Sequence, residues 1–146
     1  MLCCAAPAIA SLLPVPDWRI REEYRRTHIL IVDDSDDDRE MFAHFLSQQG
    51  YRASKARDGR DGLHKAIELQ PQLILLDLWL PIISGWDVMQ HLKTDERTLH
   101  IPVLVITAHS SIQPWDCDGF LLKPCPLDQL AGEIARVLAG PRQKEM

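Results

Sequence analysis

The sequence predicts an α/β domain, with a parallel β-sheet covered by helices on both faces. Three observations predict it. Short apolar runs alternate with segments of helical period. The runs are continuously apolar, as strands buried on both faces are. A polar group with chemical potential follows each of the four most apolar runs, at the strand ends where such sheets bind ligands.

In chain order, "HILIV" (28–32) reads as a buried strand that runs straight into Asp33, Asp34, Asp36, Asp37 and Asp38. In "DDREMFAHFLSQQG", Met41, Phe42, Phe45 and Leu46 line one helical face and Gly50 supplies the stop. "YRASKAR" (51–57) is a weaker, more polar strand suited to a sheet edge. "DGRDGLHKAIELQ" carries Leu63, Ala66 and Ile67 at helical spacing. "LILLD" (73–77) is the second apolar run, and "SGWDVMQHLK" is a helix with Met89 and Leu92 inside. "IPVLVIT" (101–107) and "FLLK" (120–123) are the third and fourth apolar runs. "PLDQLAGEIARVLAG" closes the domain, with Leu127, Leu130, Ile134, Val137 and Leu138 on one face.

A chain of 146 residues, 46% hydrophobic and 25% charged, suits one soluble globular domain. A formal charge of −5 argues against a nucleic-acid partner, because a phosphate backbone demands a basic face. The four cysteines have neither zinc-site nor disulfide-framework spacing, which fits a reducing cytoplasm. Residues 1–27 read as an N-terminal extension, residues 28–139 as the domain, and 140–146 as a C-terminal tail. The first 16 residues are apolar and punctuated by Pro7, Pro14 and Pro16. They lack the basic start of a secretory signal and are short for a membrane span. A lipid anchor through Cys3 or Cys4, or an interaction arm, is the alternative use of this tail. "DWRIREEYRRT" is expected to form a short lead-in helix capped by Asp17.

At the strand ends stand Asp33 and Asp34, Asp77, Thr107 and Lys123. Singly, such residues are helix caps, turn formers or solvated charges. On one edge of one sheet they form a candidate site. The motifs "VDD" (32–34), "LLDLWLP" (75–81) with "SG" (84–85), "VITA" (105–108) and "FLLKP" (120–124) resemble the response-regulator receiver domains of two-component signalling. The resemblance spans about residues 28 to 139. It implies a flavodoxin-like, doubly wound, five-stranded parallel sheet of order 2-1-3-4-5.

The residue types also carry roles of their own. Asp33, Asp34 and Asp77 make a hard-oxygen pocket suited to Mg²⁺, and their mutual repulsion calls for a cation. Asp77, kept ionised, is the nucleophile toward a phosphoryl donor. Lys123 and the Thr107 hydroxyl would meet phosphoryl oxygens, because positioning and neutralisation are most of the catalysis of such transfer. The resemblance adds the main-chain carbonyl of Trp79 as a metal ligand, and Thr107 with Phe120 as a switch. It also places Trp79 and His109 where access of water to the acyl phosphate is modulated, though both read equally as ordinary loop side chains. The Lys123–Pro124 bond is expected to be cis by the same resemblance. Asp36, Asp37 and Asp38 are expected to serve the start of the following helix, where acids favour the macrodipole. Cys125 reads as small and apolar.

One departure matters. Only 15 residues, "AHSSIQPWDCDGFLL", separate Thr107 from Lys123, and Pro114 would interrupt a helix there. The family's fourth helix, between strands four and five, is therefore expected to be shortened or absent, which puts output through that face in doubt.

The expected function is a stand-alone, chemotaxis-type bacterial response regulator, since only "GPRQKEM" follows Ala139. It would take a phosphoryl group on Asp77 from a histidine kinase or histidine phosphotransfer protein and signal to a downstream protein. It would be cytoplasmic, with no membrane partner, and no enzyme beyond assisting its own phosphorylation and dephosphorylation. The alternative is a phosphorylation-independent interaction module that keeps the fold. Two other readings fail. A haloacid-dehalogenase-type phosphatase needs Asp-x-Asp directly after the first strand, where this chain has Asp33-Asp34-Ser35. An EF-hand loop starting at Asp34 would have Arg39 at its obligatory glycine and Phe45 at its bidentate glutamate.

Overall fold

A computed structural model of the chain describes residues 26–109 and 117–140. The elements are β1 (His28–Val32), α1 (Asp36–Gln48), β2 (Arg52–Ala56), α2 (Gly59–Leu69), β3 (Leu73–Leu76), α3 (Gly85–Thr94), β4 (Val103–Thr107), β5 (Gly119–Leu122) and α4 (Leu127–Leu138). The strands form one sheet of order β2-β1-β3-β4-β5, and every pairing is parallel.

Alternate strand residues build two cores, one on each face. On one face Ile29, Ile31, Leu73, Leu75, Leu104 and Ile106 pack against Phe42 and Leu46 of α1 and Leu130, Ile134 and Val137 of α4. On the other, Leu30, Val32, Ile74, Leu76, Val103 and Val105 meet Ala66 of α2 and Val88, Met89 and Leu92 of α3. Burial on both faces is why β1, β3 and β4 read as unbroken apolar runs.

Each of the first three helices starts at a side-chain cap. The Ser35 hydroxyl, the Asp58 carboxylate and the Ser84 hydroxyl accept the N–H groups of Asp38, Asp61 and Asp87. Gly50, at φ +93°, takes the left-handed conformation that ends α1.

Some apolar residues assigned to the interior lie outside it. Met41 is 44% exposed, because the inward stripe of α1 runs through Asp38, Phe42 and Leu46, one turn apart. Leu127, in the first turn of α4, and Leu122 are also exposed. Leu122 belongs to an edge strand, whose burial alternates where the central strands are buried throughout. Among the described residues no helix lies between β4 and β5, while residues 110–116 and the lead-in helix expected before residue 26 lie outside the described set. The Lys123–Pro124 peptide is cis.

Candidate phosphoacceptor site

The order of strands reverses direction at β1 and β3, and there the carboxyl ends of the strands open a crevice. Hydrogen bonds of ladder type carry on one residue past the strands and fix the site backbone. The Asp33 N–H donates to the Ala56 carbonyl at 3.1 Å, the Asp77 N–H to the Val32 carbonyl at 3.0 Å, and the Lys123 N–H to the Thr107 carbonyl at 2.8 Å. Gly85 holds the other side of Asp77. Its N–H donates to the Leu78 carbonyl at 2.9 Å, and a Cβ on it would fall within 3.0 Å of the Asp77 carbonyl oxygen and of Leu78 Cα.

Side chains from three of these strand ends meet in the crevice region. Asp33, Asp34 and Asp77 each offer a carboxylate oxygen, all within 4.8 Å of one another. Asp33 and Asp77 are buried and Asp34 is exposed. The Lys123 ammonium donates to Asp33 Oδ2 at 2.8 Å, Asp77 Oδ2 at 3.1 Å and Asp38 Oδ2 at 2.7 Å. It also lies 6.0 Å from the centre of the Phe42 ring. Burial pushes the Asp33 carboxyl above its ordinary value, against the pull of the Lys123 hydrogen bond. Burial acts to lower the Lys123 pKa, but its hydrogen bonds to Asp33 and Asp38 and the charges of Asp77 and Asp33 outweigh that and raise it. The ammonium is thus firmly protonated, and it counters charge that would otherwise be stranded in a low-dielectric edge.

The remaining acceptors are also occupied in part. Asp33 Oδ1 accepts the Ser35 N–H at 2.9 Å, and Asp77 Oδ1 accepts the Trp79 N–H at 3.1 Å. Arg39 donates to the Asp33 carbonyl at 2.7 Å and pairs with Asp36 on its own helix. Thr107 is fully buried at the end of β4, and its hydroxyl accepts the His109 N–H at 3.4 Å. Phe120 is half-buried one strand away, opposite Val105 in register, against the core of Val103 and Val105. Trp79 is 59% exposed, and its ring lies 4.4 Å from that of His109, bridging the loops after β3 and β4. Cys125 is partly buried against the core beneath α4 and β5.

The donor set fits a small divalent cation. Octahedral Mg²⁺, with ligand oxygens about 2.1 Å away, spaces adjacent ligands about 3 Å apart and opposite ones about 4 Å apart. Three carboxylate oxygens within 4.8 Å of one another are compatible with that spacing. The three carboxylates among the candidate ligands thus lie together.

Asp38 stands in the first turn of α1, as the sequence leads one to expect, but its carboxylate also joins the cluster, a role the sequence reading did not assign. A signal for it exists in the chain: Asp38, Phe42 and Leu46 are spaced by four, so the buried stripe of α1 begins with this acid.

With this geometry in view, the chain belongs to the response regulator receiver domain family, whose model matches residues 29–135. Such domains serve phosphorylation-based signalling and are not enzymes in the usual sense. The chain is 39% identical over 116 residues to RpaA of Synechocystis sp., described as a DNA-binding dual master transcriptional regulator, and spans 48% of that protein's length. It is 34% identical over 116 residues to the polar-differentiation response regulator DivK of Brucella ovis, covering 75% of this chain and 94% of DivK.

Among solved structures, the chemotaxis response regulator CheY4 of Vibrio cholerae matches with a TM-score of 0.70 at 28% identity, over 77% of this chain and 98% of that one. The receiver domain of the sensor histidine kinase PA1611 from Pseudomonas aeruginosa, described with magnesium coordinated in its active-site cleft, matches with a TM-score of 0.73. It covers 79% of this chain and 99% of that one. At 21% identity this likeness speaks for the fold alone. No described helix is long and apolar enough to cross a membrane.

Proposed function

We propose that this receiver accepts a phosphoryl group on Asp77 from a histidine kinase or a histidine phosphotransfer protein and signals through a phosphorylation-dependent contact with a downstream protein. The observation that carries the proposal is the single ammonium of Lys123 shared by Asp33 and Asp77, with Asp34 in the same cluster. Asp33, Asp34, Asp77 and the Trp79 carbonyl would hold Mg²⁺. Bound there, the ion would supply neutralisation of charge on the phosphoryl oxygens.

The chain's own groups do the rest. A carboxylate oxygen of Asp77 forms a bond to phosphorus as the donor's P–N bond to imidazole, or the P–O bond of a small acyl phosphate, breaks. The leaving imidazole is protonated by solvent, and an acetate leaves as the anion. Lys123, already 3.1 Å from Asp77, turns a donor to a phosphoryl oxygen. Thr107 reaches another with its hydroxyl, and Phe120 responds one strand away, which makes the two the switch. Return of Asp77 to a free carboxylate requires attack of water on phosphorus, in the region flanked by the Trp79 and His109 rings. The near-complete coverage of DivK, described as a response regulator, supports signalling through the receiver itself, and a cytoplasmic location goes with the same reading.

The test is intact-mass spectrometry after incubation with acetyl phosphate, with and without Mg²⁺, on the wild type and Asp77→Asn. One added phosphoryl group, dependent on Mg²⁺ and lost in the variant, is expected. A second reading, a phosphorylation-independent interaction module, is favoured by the short β4–β5 connection. It becomes the better one if Mg²⁺ binds and neither acetyl phosphate nor a phosphorylated histidine kinase adds mass.

A further inference from the structure

Asp38 adds a fourth carboxylate to a cluster that already has its metal-binding and acceptor acids. Its Oδ2 lies 2.7 Å from Lys123 Nζ, the shortest of that ammonium's three contacts. An ammonium has three N–H donors, and here each has a carboxylate partner. None is left over for an incoming phosphoryl oxygen. The three acids are not equivalent. Asp77 is the acceptor, and Asp33 is buried and tied to Ser35. Asp38 is the more accessible one, its side chain 36% exposed.

Its position is nonetheless fixed. The Asp38 N–H donates to Ser35 Oγ at 3.2 Å, and the Ser35 N–H donates to Asp33 Oδ1, so one short chain of bonds links Asp33, Ser35 and Asp38.

We propose that Asp38 is a positioning residue that restrains phosphorylation, by holding the Lys123 ammonium away from an arriving phosphoryl group while adding negative charge that favours a divalent cation. The proposal rests on Asp77 being the phosphoacceptor. It assigns two effects of opposite sign to one carboxylate. Removing its charge frees a Lys123 donor and lessens repulsion of the anionic phosphodonor, so transfer at saturating Mg²⁺ quickens. The same removal weakens the attraction for Mg²⁺. A residue with a merely structural role would, when replaced, lower both.

The experiment compares wild type, Asp38→Asn and Asp38→Glu. Mg²⁺ alone is titrated by calorimetry, and phosphorylation by acetyl phosphate at saturating Mg²⁺ is followed by intact mass. Asp38→Asn keeps the backbone donor to Ser35, so helix α1 keeps its cap. Its expected signature is a rate raised roughly threefold to tenfold together with a Mg²⁺ dissociation constant raised by a similar factor. Asp38→Glu restores the charge and returns both values toward wild type. Wild-type uptake with an equal or slower rate in Asp38→Asn overturns the restraint alone. An unchanged Mg²⁺ affinity overturns the assigned electrostatic role. Uptake by none of the three proteins overturns the phosphoacceptor reading, and the restraint with it.

Discussion

Replacing Gly85 by alanine tests how Asp77 is held. Gly85 is the first residue of α3, and its φ is not in the left-handed region, so an alanine there is unstrained in itself. Helix propensity alone would make the change favourable, by at most about 1 kcal/mol. Sterics oppose it. The added methyl would sit within 3.0 Å of the Asp77 carbonyl oxygen and Leu78 Cα, both backbone atoms that no rotamer change can move aside. Ordinary contacts of this kind lie near about 3.5 Å, so α3 and the segment after β3 must separate by roughly an ångström. Overpacking of this kind costs about 1–3 kcal/mol, and backbone on both sides puts Gly85→Ala at the upper end.

Less the propensity gain, a net loss of about 2 kcal/mol should lower the melting temperature by roughly 8 °C. The separation also shifts Asp77 relative to Lys123, so phosphorylation should slow about tenfold or more. Gly132→Ala is the control. It lies inside α4, exposed, with nothing within 4 Å of its would-be Cβ, and should stabilise by about 0.5–1 kcal/mol. Thermal melts of both variants, with acetyl-phosphate time courses, measure these effects. A Gly85→Ala protein that melts with the wild type and is phosphorylated at the wild-type rate would refute the steric argument.

Two further outcomes follow from the same geometry. Trp79→Ala removes the ring that meets His109 between the loops after β3 and β4, and should shorten the half-life of the phosphorylated form about threefold or more by admitting water; an unchanged half-life, read by intact mass after donor removal, would dispose of shielding by Trp79. His28 is buried at the start of β1, between the Ser54 hydroxyl at 2.6 Å and the Arg52 guanidinium at 3.1 Å. Burial first, and the Arg52 charge second, hold its pKa below the ordinary 6.5. The unfolded chain therefore takes up the proton first as pH falls, so this contribution to stability is complete above about pH 6.5 and declines as pH drops through the folded value. Urea midpoints between about pH 5 and pH 7 should fall more steeply with acid for wild type than for His28→Gln, and parallel slopes would count against the assignment.

The sequence by itself determined the layer architecture and placed five polar residues at the strand ends. β1, β3 and β4 are buried on both faces, so their residues had to be apolar without interruption, and that pattern survives in one dimension. Asp33, Asp34 and Asp77 follow such runs, Thr107 ends one and Lys123 follows β5, and a parallel sheet brings all its carboxyl ends to one edge. The meeting of Asp33, Asp34, Asp77 and Lys123 was legible before any coordinate. β5 was less so: "FLLK" looks like a central strand, but an edge strand alternates in burial, and Leu122 faces out. Met41 and Asp38 illustrate the limit on α1. Neighbouring residues on a helix diverge by about 100°, so the angle at which the helix meets the sheet decides which of them turn inward.

Tertiary structure alone decided that Asp38, 85 residues from Lys123 in sequence, becomes its nearest carboxylate partner. It likewise decided that Gly85 lies against the backbone of Asp77. Both facts depend on sub-ångström placement of elements from distant parts of the chain, which hydrophobic periodicity does not encode.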